Sequence, residues 1–296
     1  AAEELTTGER NIAIGWEALD GATGANDSIA IGKGSLGGAL TGTGNIGIGV
    51  SAGDAITSGS YNIALGVSAG GAITTAGGNI MIGVDAGLQV STGANNVAVG
   101  TSAMRQNDGT PSENVAIGYI AMYEGTGDYN VAVGKGALRA TDGNYNVGVG
   151  YNSGINLTTG QYNTLLGAKS GDTITTGSRN LAIGYQALDN ADTESDNIAI
   201  GYDALGGAVN GGEKNLAIGN YAGEAITSAD NTVLLGYEAG KSITGSTDSI
   251  GIGYQAGMTM GNQTIAIGSL SASIGTGWRN VMIGYGAGKR TTDHDN

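Results

Sequence analysis

Apolar and polar positions follow one another along this chain in a short unit that returns about every 17 residues. The unit is an Asn, three apolar residues and a glycine, as in Asn11-Ile12-Ala13-Ile14-Gly15, with a small residue, Ala18, three positions later. The glycine falls at 15, 32, 49, 66, 83, 100, 118, 134, 150, 167, 184, 201, 219, 236, 253, 268 and 284, which makes 17 copies. Three positions before it, 16 copies carry Ile, Val or Leu, Thr164 being the exception, and one position before it all 17 do. Between those two stands Ala, Gly, Met or Leu. β-Branched residues at period 2, in a run of about five bounded by glycine, predict a short strand. Glycine this frequent excludes a helix.

A strand with no charge on either face is buried on both. One such strand per turn predicts an all-β, parallel β-solenoid of about 17 coils of about 17 residues. The regular coils run over about 6–290, within a single repeat domain covering 1–296. Stacked at the usual strand spacing, the coils would span roughly 80 Å. The expected arrangement puts the Ile/Val pair inside the coil and the Ala face toward a partner. A second chain is expected because the outer face also needs covering, and a symmetric oligomer does this coil by coil.

The position four before the glycine is Asn in 13 copies: Asn11, Asn45, Asn62, Asn79, Asn96, Asn114, Asn130, Asn146, Asn163, Asn180, Asn197, Asn215 and Asn280. Ser28, Thr232, Ser249 and Thr264 fill the other four. Identical amides at one place in successive coils predict a structural ladder, each side chain bonding to the copies above and below. Asn also tolerates the left-handed backbone that a corner needs.

Large side chains trade between two later positions. Four after the glycine, nine coils have Gly; in eight of these the residue three further on is large and apolar, as in Gly53/Ile56 and Gly70/Ile73. Seven coils have Leu or Met there instead, and then a small or polar residue follows, as in Leu19/Ala22 and Leu138/Thr141. A narrow interior that penalises both voids and overfilling predicts this pattern. Two regions break the regularity. Ser102–Glu113, with the only proline, Pro111, is expected to form a protruding loop, and the coils near Gly268 and Gly284 are short. The tail, Thr291–Asn296, has lost the pattern.

Composition narrows the function classes. Glycine is 58 of 296 residues, phenylalanine is absent and net charge is −14. The acidity argues against nucleic acid and anionic membrane surfaces. No apolar run approaches the length of a membrane-spanning helix. Without cysteine, no disulfide contributes to stability. The lack of an initiator Met or a signal peptide reads as a processed or excised segment. Glycosylation sequons stand at Asn26, Asn156 and Asn262.

The string Asn-(Ile/Val)-Ala-Ile-Gly-x-x-Ala resembles the head repeats of YadA-like trimeric adhesins. It is more similar still to the longer Thr-Gly-x-x-Asn-x-Ala-x-Gly-x-x-Ala repeats of phage tail fibres. The resemblance covers essentially the whole chain. It implies a left-handed β-roll, a homotrimer, and a place outside the cell, on a virion or a bacterial surface, where it meets a host-cell glycan or protein. The repeat here is longer than that of the bacterial heads, and neither a coiled-coil stalk nor an anchor is present in the sequence, which favours a viral fibre segment or a detached head.

Catalysis is not expected. The one histidine, His294, stands in the irregular tail, and the hydroxyls have no base to activate them. The acidic residues, among them Glu17, Asp20, Asp54, Asp85, Asp172, Glu224 and Glu238, are scattered as on a solvated surface rather than paired for glycan hydrolysis. No calcium-loop spacing occurs, so no metal or cofactor is expected. Gly47-Ile48-Gly49 belongs to a repeat strand and not to a phosphate loop.

The aromatic residues carry the surface signal. Tyr119, Tyr151, Tyr185, Tyr202, Tyr237, Tyr254 and Tyr285 directly follow the motif glycine, Tyr61, Tyr129, Tyr145 and Tyr162 directly precede the Asn, and Trp16 and Trp278 take comparable places. Two readings stay open: packing between coils or at an oligomer seam, and a stripe that contacts a glycan or protein. The functional expectation is a non-enzymatic, adhesive segment of an extracellular trimeric fibre. A purely structural shaft is the alternative. An ice-binding solenoid, suggested by broken threonine rows such as Thr57 and Thr74, is a remote one.

Overall fold

The computed structural model describes residues 3–106, 110–207, 211–273 and 277–288. They form two compact units, residues 1–145 and 146–296. Each is a parallel β-solenoid, and no helix occurs among the described residues.

The first unit holds eight three-residue strands: Ile12–Ile14, Ile29–Ile31, Ile46–Ile48, Ile63–Leu65, Ile80–Ile82, Val97–Val99, Val115–Ile117 and Val131–Val133. Each pairs in parallel with the next. The second holds nine: Val147–Val149, Thr164–Leu166, Leu181–Ile183, Ile198–Ile200, Leu216–Ile218, Val233–Leu235, Ile250–Ile252, Ile265–Ile267 and Val281–Ile283, again paired in succession. Equivalent residues meet, so Ile63 lies beside Ile80 and Ala64 beside Met81. The expected coil repeat is therefore present in both units.

The strand faces are the reverse of the expectation. The central residue points inward: Ala30, Ala98, Ala132, Ala199 and Ala266 are fully buried. The flanking Ile/Val pair points out and is half-buried or exposed, up to 58% at Ile14 and 68% at Ile283. Capacity is the reason. The interior must also hold the small residue three after the glycine and one large side chain per coil, and two more β-branched side chains would overfill it.

The trade of large side chains operates as expected. Leu19, Leu36, Met104, Met122 and Leu138 are fully buried from one place, and Ile56, Ile73, Val90, Leu157 and Ile174 from the other. A Cβ added at Gly70 would come 2.8 Å from Ile73 Cδ1, so the two sites share one volume. The strand joins the exchange. Where its central residue is Met81 or Leu165, a Cβ at Gly87 or Gly171 would fall 2.3 or 2.8 Å from that side chain. The backbone at this place is left-handed throughout, with φ 58° at Gly70 and 57° at Leu19. Left-handed backbone costs a non-glycine residue about 1–2 kcal/mol. Burying Leu returns about 1.5–3 kcal/mol, so Leu is tolerated there when the space is free.

The motif glycine has φ between 123° and 138° in all 17 coils. A Cβ on Gly49 would lie 2.4 Å from the carbonyl oxygen of Gly66, so the stacked backbones leave no room for a side chain. The Asn ladder is buried and polar. The Asn62 side-chain oxygen accepts the Asn79 N–H at 3.0 Å, and its side-chain nitrogen donates to the Ala76 carbonyl at 2.8 Å. Where Ser28 replaces Asn, its hydroxyl oxygen accepts the Asn45 N–H at 3.3 Å. The left-handed residue at this corner is the one before the Asn, such as Tyr61 (φ 59°) or Arg179 (φ 59°), and not the Asn itself.

The segment Ser102–Glu113 is more regular than expected. Ala103, Met104 and Pro111 are buried in coil positions, and the Pro111 carbonyl accepts from the Asn96 side chain at 2.6 Å. Residues 107–109 lie outside the described residues, as do the tail 291–296 and His294 within it.

Candidate recognition surfaces

The outward Ile/Val pair makes an apolar face on each unit. Because every strand pairs in register with its neighbour, the side chains align in two parallel columns. Ile46, Ile63, Ile80 and Val97 run in one column, and Ile48, Leu65, Ile82 and Val99 in the other. No strand carries a charged residue.

Beside these columns runs the row that follows the motif glycine. In the second unit it places Tyr151, Tyr185, Tyr202, Tyr237, Tyr254 and Tyr285 on the surface; in the first it places Trp16 and Tyr119 there. Tyr185 stacks on Tyr202 with ring centres 5.5 Å apart, and Tyr237 on Tyr254 at 5.6 Å. Asn220 interrupts the row, and Tyr221, one residue later, bridges the gap. Its ring stands edge-on to Tyr202 at 5.2 Å and to Tyr237 at 6.1 Å. The sequence reading passed over Tyr221 because it falls outside the position after the glycine. The signal was there, in a Tyr displaced by one beside the only break between Tyr202 and Tyr237.

The second tyrosine row, before the Asn, stacks too, with Tyr129 and Tyr145 4.8 Å apart and nearly parallel. Elsewhere ion pairs fill this row. Arg179 Nε donates to Asp196 at 2.6 Å and a terminal nitrogen donates at 2.8 Å, a two-point contact that Arg10 and Asp27 repeat. Trp278 does not belong to it. It stands two residues before Asn280, and Arg279 takes the left-handed corner.

Where Tyr185 stacks on Tyr202 and Tyr237 on Tyr254, the faces turned to one another are not open to a ligand. Lys241 covers a face of Tyr221 with its ammonium 4.7 Å from the ring centre, and also reaches Glu238 at 2.9 Å and Glu224 at 3.3 Å. The hydrogen bond to Glu238, more than any other partner, raises the Lys241 pKa, so this ammonium stays charged.

Burial raises the pKa of Asp54, Asp172, Asp189 and Asp203 above the ordinary value of 3.8. At Asp189 the carboxylates of Asp203 and Asp172 add to the effect, and a hydrogen bond from Gln186 opposes it. Among the described residues no group of three His, Cys, Asp or Glu is placed to hold a metal ion. The threonine column is engaged along the axis. The hydroxyls of Thr57, Thr74, Thr158 and Thr227 donate to carbonyls of the next coil at 3.0–3.3 Å.

A cleft of about 390 Å³ opens in the second unit where the coil is shortest, between Thr244, Asn262 and Trp278. No helix among the described residues is long and apolar enough to cross a membrane. No protein-family model matches this chain, and no curated protein matches it in sequence.

Proposed function

We propose that the chain is a non-enzymatic segment of an extracellular fibre, built from three copies wound as left-handed β-rolls, which displays a surface for host-cell glycan or protein. The observation that carries this reading is the uncharged Ile/Val face. In water such a ladder is a liability, and a second copy with the same repeat covers it coil for coil. The net charge of −14 repels other copies only at a distance, because no acid stands on the strands themselves. The likeness of the repeat to adhesin heads and tail-fibre repeats supports both the three-fold state and a place on a virion or bacterial surface.

A structural shaft is the second reading, and the tyrosine columns favour it. The rings of Tyr185, Tyr202, Tyr221, Tyr237 and Tyr254 contact one another from coil to coil, which stiffens the stack. Sedimentation at neutral pH tests the oligomer. A trimer is expected, and a stable monomer of 29.1 kDa would overturn it. Binding of the trimer to host cells or to a glycan array separates the adhesive segment from the shaft.

A further inference from the structure

Tyr129 and Tyr145 leave equivalent corners of consecutive coils, each from the position directly before the Asn. The backbone is left-handed at both, with φ 58° and 60°. The Tyr145 N–H donates to the Asp128 carbonyl at 3.2 Å, which fixes one corner over the other. The ring centres are 4.8 Å apart and the ring planes differ by 2°. Parallel rings on side chains that start from equivalent corners set like atoms opposite like atoms. The carbons ortho to the two phenol oxygens therefore face each other. Tyr129 is 44% exposed and Tyr145 46%, so an oxidant reaches both rings and both have room to tilt.

Tyr61 separates proximity from exposure. It stands in the same row with the same backbone, φ 59°, and is more exposed, at 69%. Its neighbours in the row are Gly44 and Gly78, so the row offers it no second phenol. The chain contains no cysteine, and so no thiol of its own competes for an oxidant or returns an electron to an oxidised phenol. The Glu113 carboxylate, more than any other group, holds the Tyr129 pKa above its ordinary value. At neutral pH this phenol is protonated, and oxidation removes its proton together with the electron.

We propose that Tyr129 and Tyr145 form a modification site, at which a haem peroxidase using hydrogen peroxide joins them as dityrosine within one chain. The peroxidase takes one electron from each phenol, and each phenolic proton leaves to water. The two phenoxyl radicals couple through their ortho carbons, forming one C–C bond. The ring C–H protons at that bond move to the oxygens and restore both phenols. Across the step two C–H bonds are lost, and the two electrons and two protons convert one hydrogen peroxide to two waters. The link spans 16 positions and ties adjacent coils together, as a disulfide would in a chain that has none. It lies within one chain, so it stands apart from the fibre reading: a monomer would carry it as well as a trimer.

The test treats the full chain with a haem peroxidase and hydrogen peroxide at neutral pH. The band of single-chain mass, 29.1 kDa, is then cut from a denaturing gel. Trypsin releases Tyr129 on Gln106–Lys135 and Tyr145 on Ala140–Lys169. The expected product is these two peptides joined, lighter than their sum by two hydrogens, with fragmentation placing the bond between Tyr129 and Tyr145. Tyr145→Phe keeps the stacked ring and removes the phenol. It should abolish this product and lower the dityrosine fluorescence of the band, whereas Tyr61→Phe should change neither. Unaltered circular dichroism before treatment establishes that both variants are folded. The proposal is overturned if the single-chain band holds no bond between Tyr129 and Tyr145, if Tyr61 enters intrachain links as often as they do, or if links form only between chains. Treated wild type should also melt above treated Tyr145→Phe. Equal melting of linked and unlinked chains would overturn the role of the bond as a tie between coils.

Discussion

Asn62 and Asn79 are joined twice: the Asn62 side-chain oxygen accepts the Asn79 backbone N–H at 3.0 Å and the Asn79 side-chain amide at 3.2 Å. Asn79 in turn serves Asn96 and donates to the Gly93 carbonyl. Asn79→Ala would strand the Asn96 N–H and the Gly93 carbonyl in a buried place. The expected loss is about 2–4 kcal/mol, since each orphaned group costs about 1–3. Asn79→Ser should lose less, because Ser28 already accepts the next N–H in this fold. Urea titration of both variants checks the order, and equal losses would refute the ladder as a source of stability.

The shared volume behind Gly70 and Ile73 makes a double-mutant prediction. Gly70→Leu overfills the coil and should destabilise by about 1–3 kcal/mol. Ile73→Ala leaves a cavity and should cost about 2–5 kcal/mol. Together they recreate the arrangement of Leu19 and Ala22, so the double variant should be more stable than the sum of the two losses predicts, with coupling of about 0.5–3 kcal/mol. Additive losses would mean that the two positions do not compete for space.

The pH dependence has two windows. Asp54, Asp172, Asp189 and Asp203 have folded pKa values raised by burial, so the folded state binds their protons more readily than the unfolded one. Stability therefore rises as pH falls from neutrality toward 3.8. Asp196, lowered by its hydrogen bond from Arg179, and Glu238, lowered by hydrogen bonds from Gln255 and Lys241, contribute the other way. Their stabilisation is complete above the unfolded pKa and is lost as pH drops through the folded one. The melting temperature should pass through a maximum on the acid side of neutrality. Asp189→Asn should flatten the rise without moving the acid limb, as scanning calorimetry across pH would record.

Ile80→Asp with Ile82→Asp places two carboxylates on the outward columns without touching the coil interior. Circular dichroism should keep its β signature while the sedimentation coefficient falls toward that of one chain. Loss of the fold at every concentration, rather than of the assembly alone, would contradict the outward placement of these side chains.

Much of the fold was legible because the repeat states it 17 times. The strand, the buried Asn and the exchange between Gly70 and Ile73 each leave a periodic mark that one coil alone would not. Facing was not legible. Ile63 and Ala64 are both apolar, and period 2 separates the two faces without saying which is inside; interior volume decides, and it is set by Ile56 and Leu36 in other parts of the coils. Tyr221 escaped because tertiary stacking joins residues one position out of step. The cleft beside Trp278 was legible only as a short coil before Gly268, because spacing does not say which corner gives up the residues.

Coil length varies while pairing does not. Val97 meets Val115 across 18 residues, Val115 meets Val131 across 16 and Ile250 meets Ile265 across 15, each in the same register. Insertions and deletions at the corners therefore never shift the reading of the strands. Such a scaffold can be rewritten at its edges one turn at a time, with the frame conserved by backbone bonds that do not depend on side chains. Among descendants of one ancestor, corners should diverge in length as well as in residue type, while Asn, Ile and Gly stay put. A peptide grafted after Met260 would inherit a fixed and addressable place on the surface.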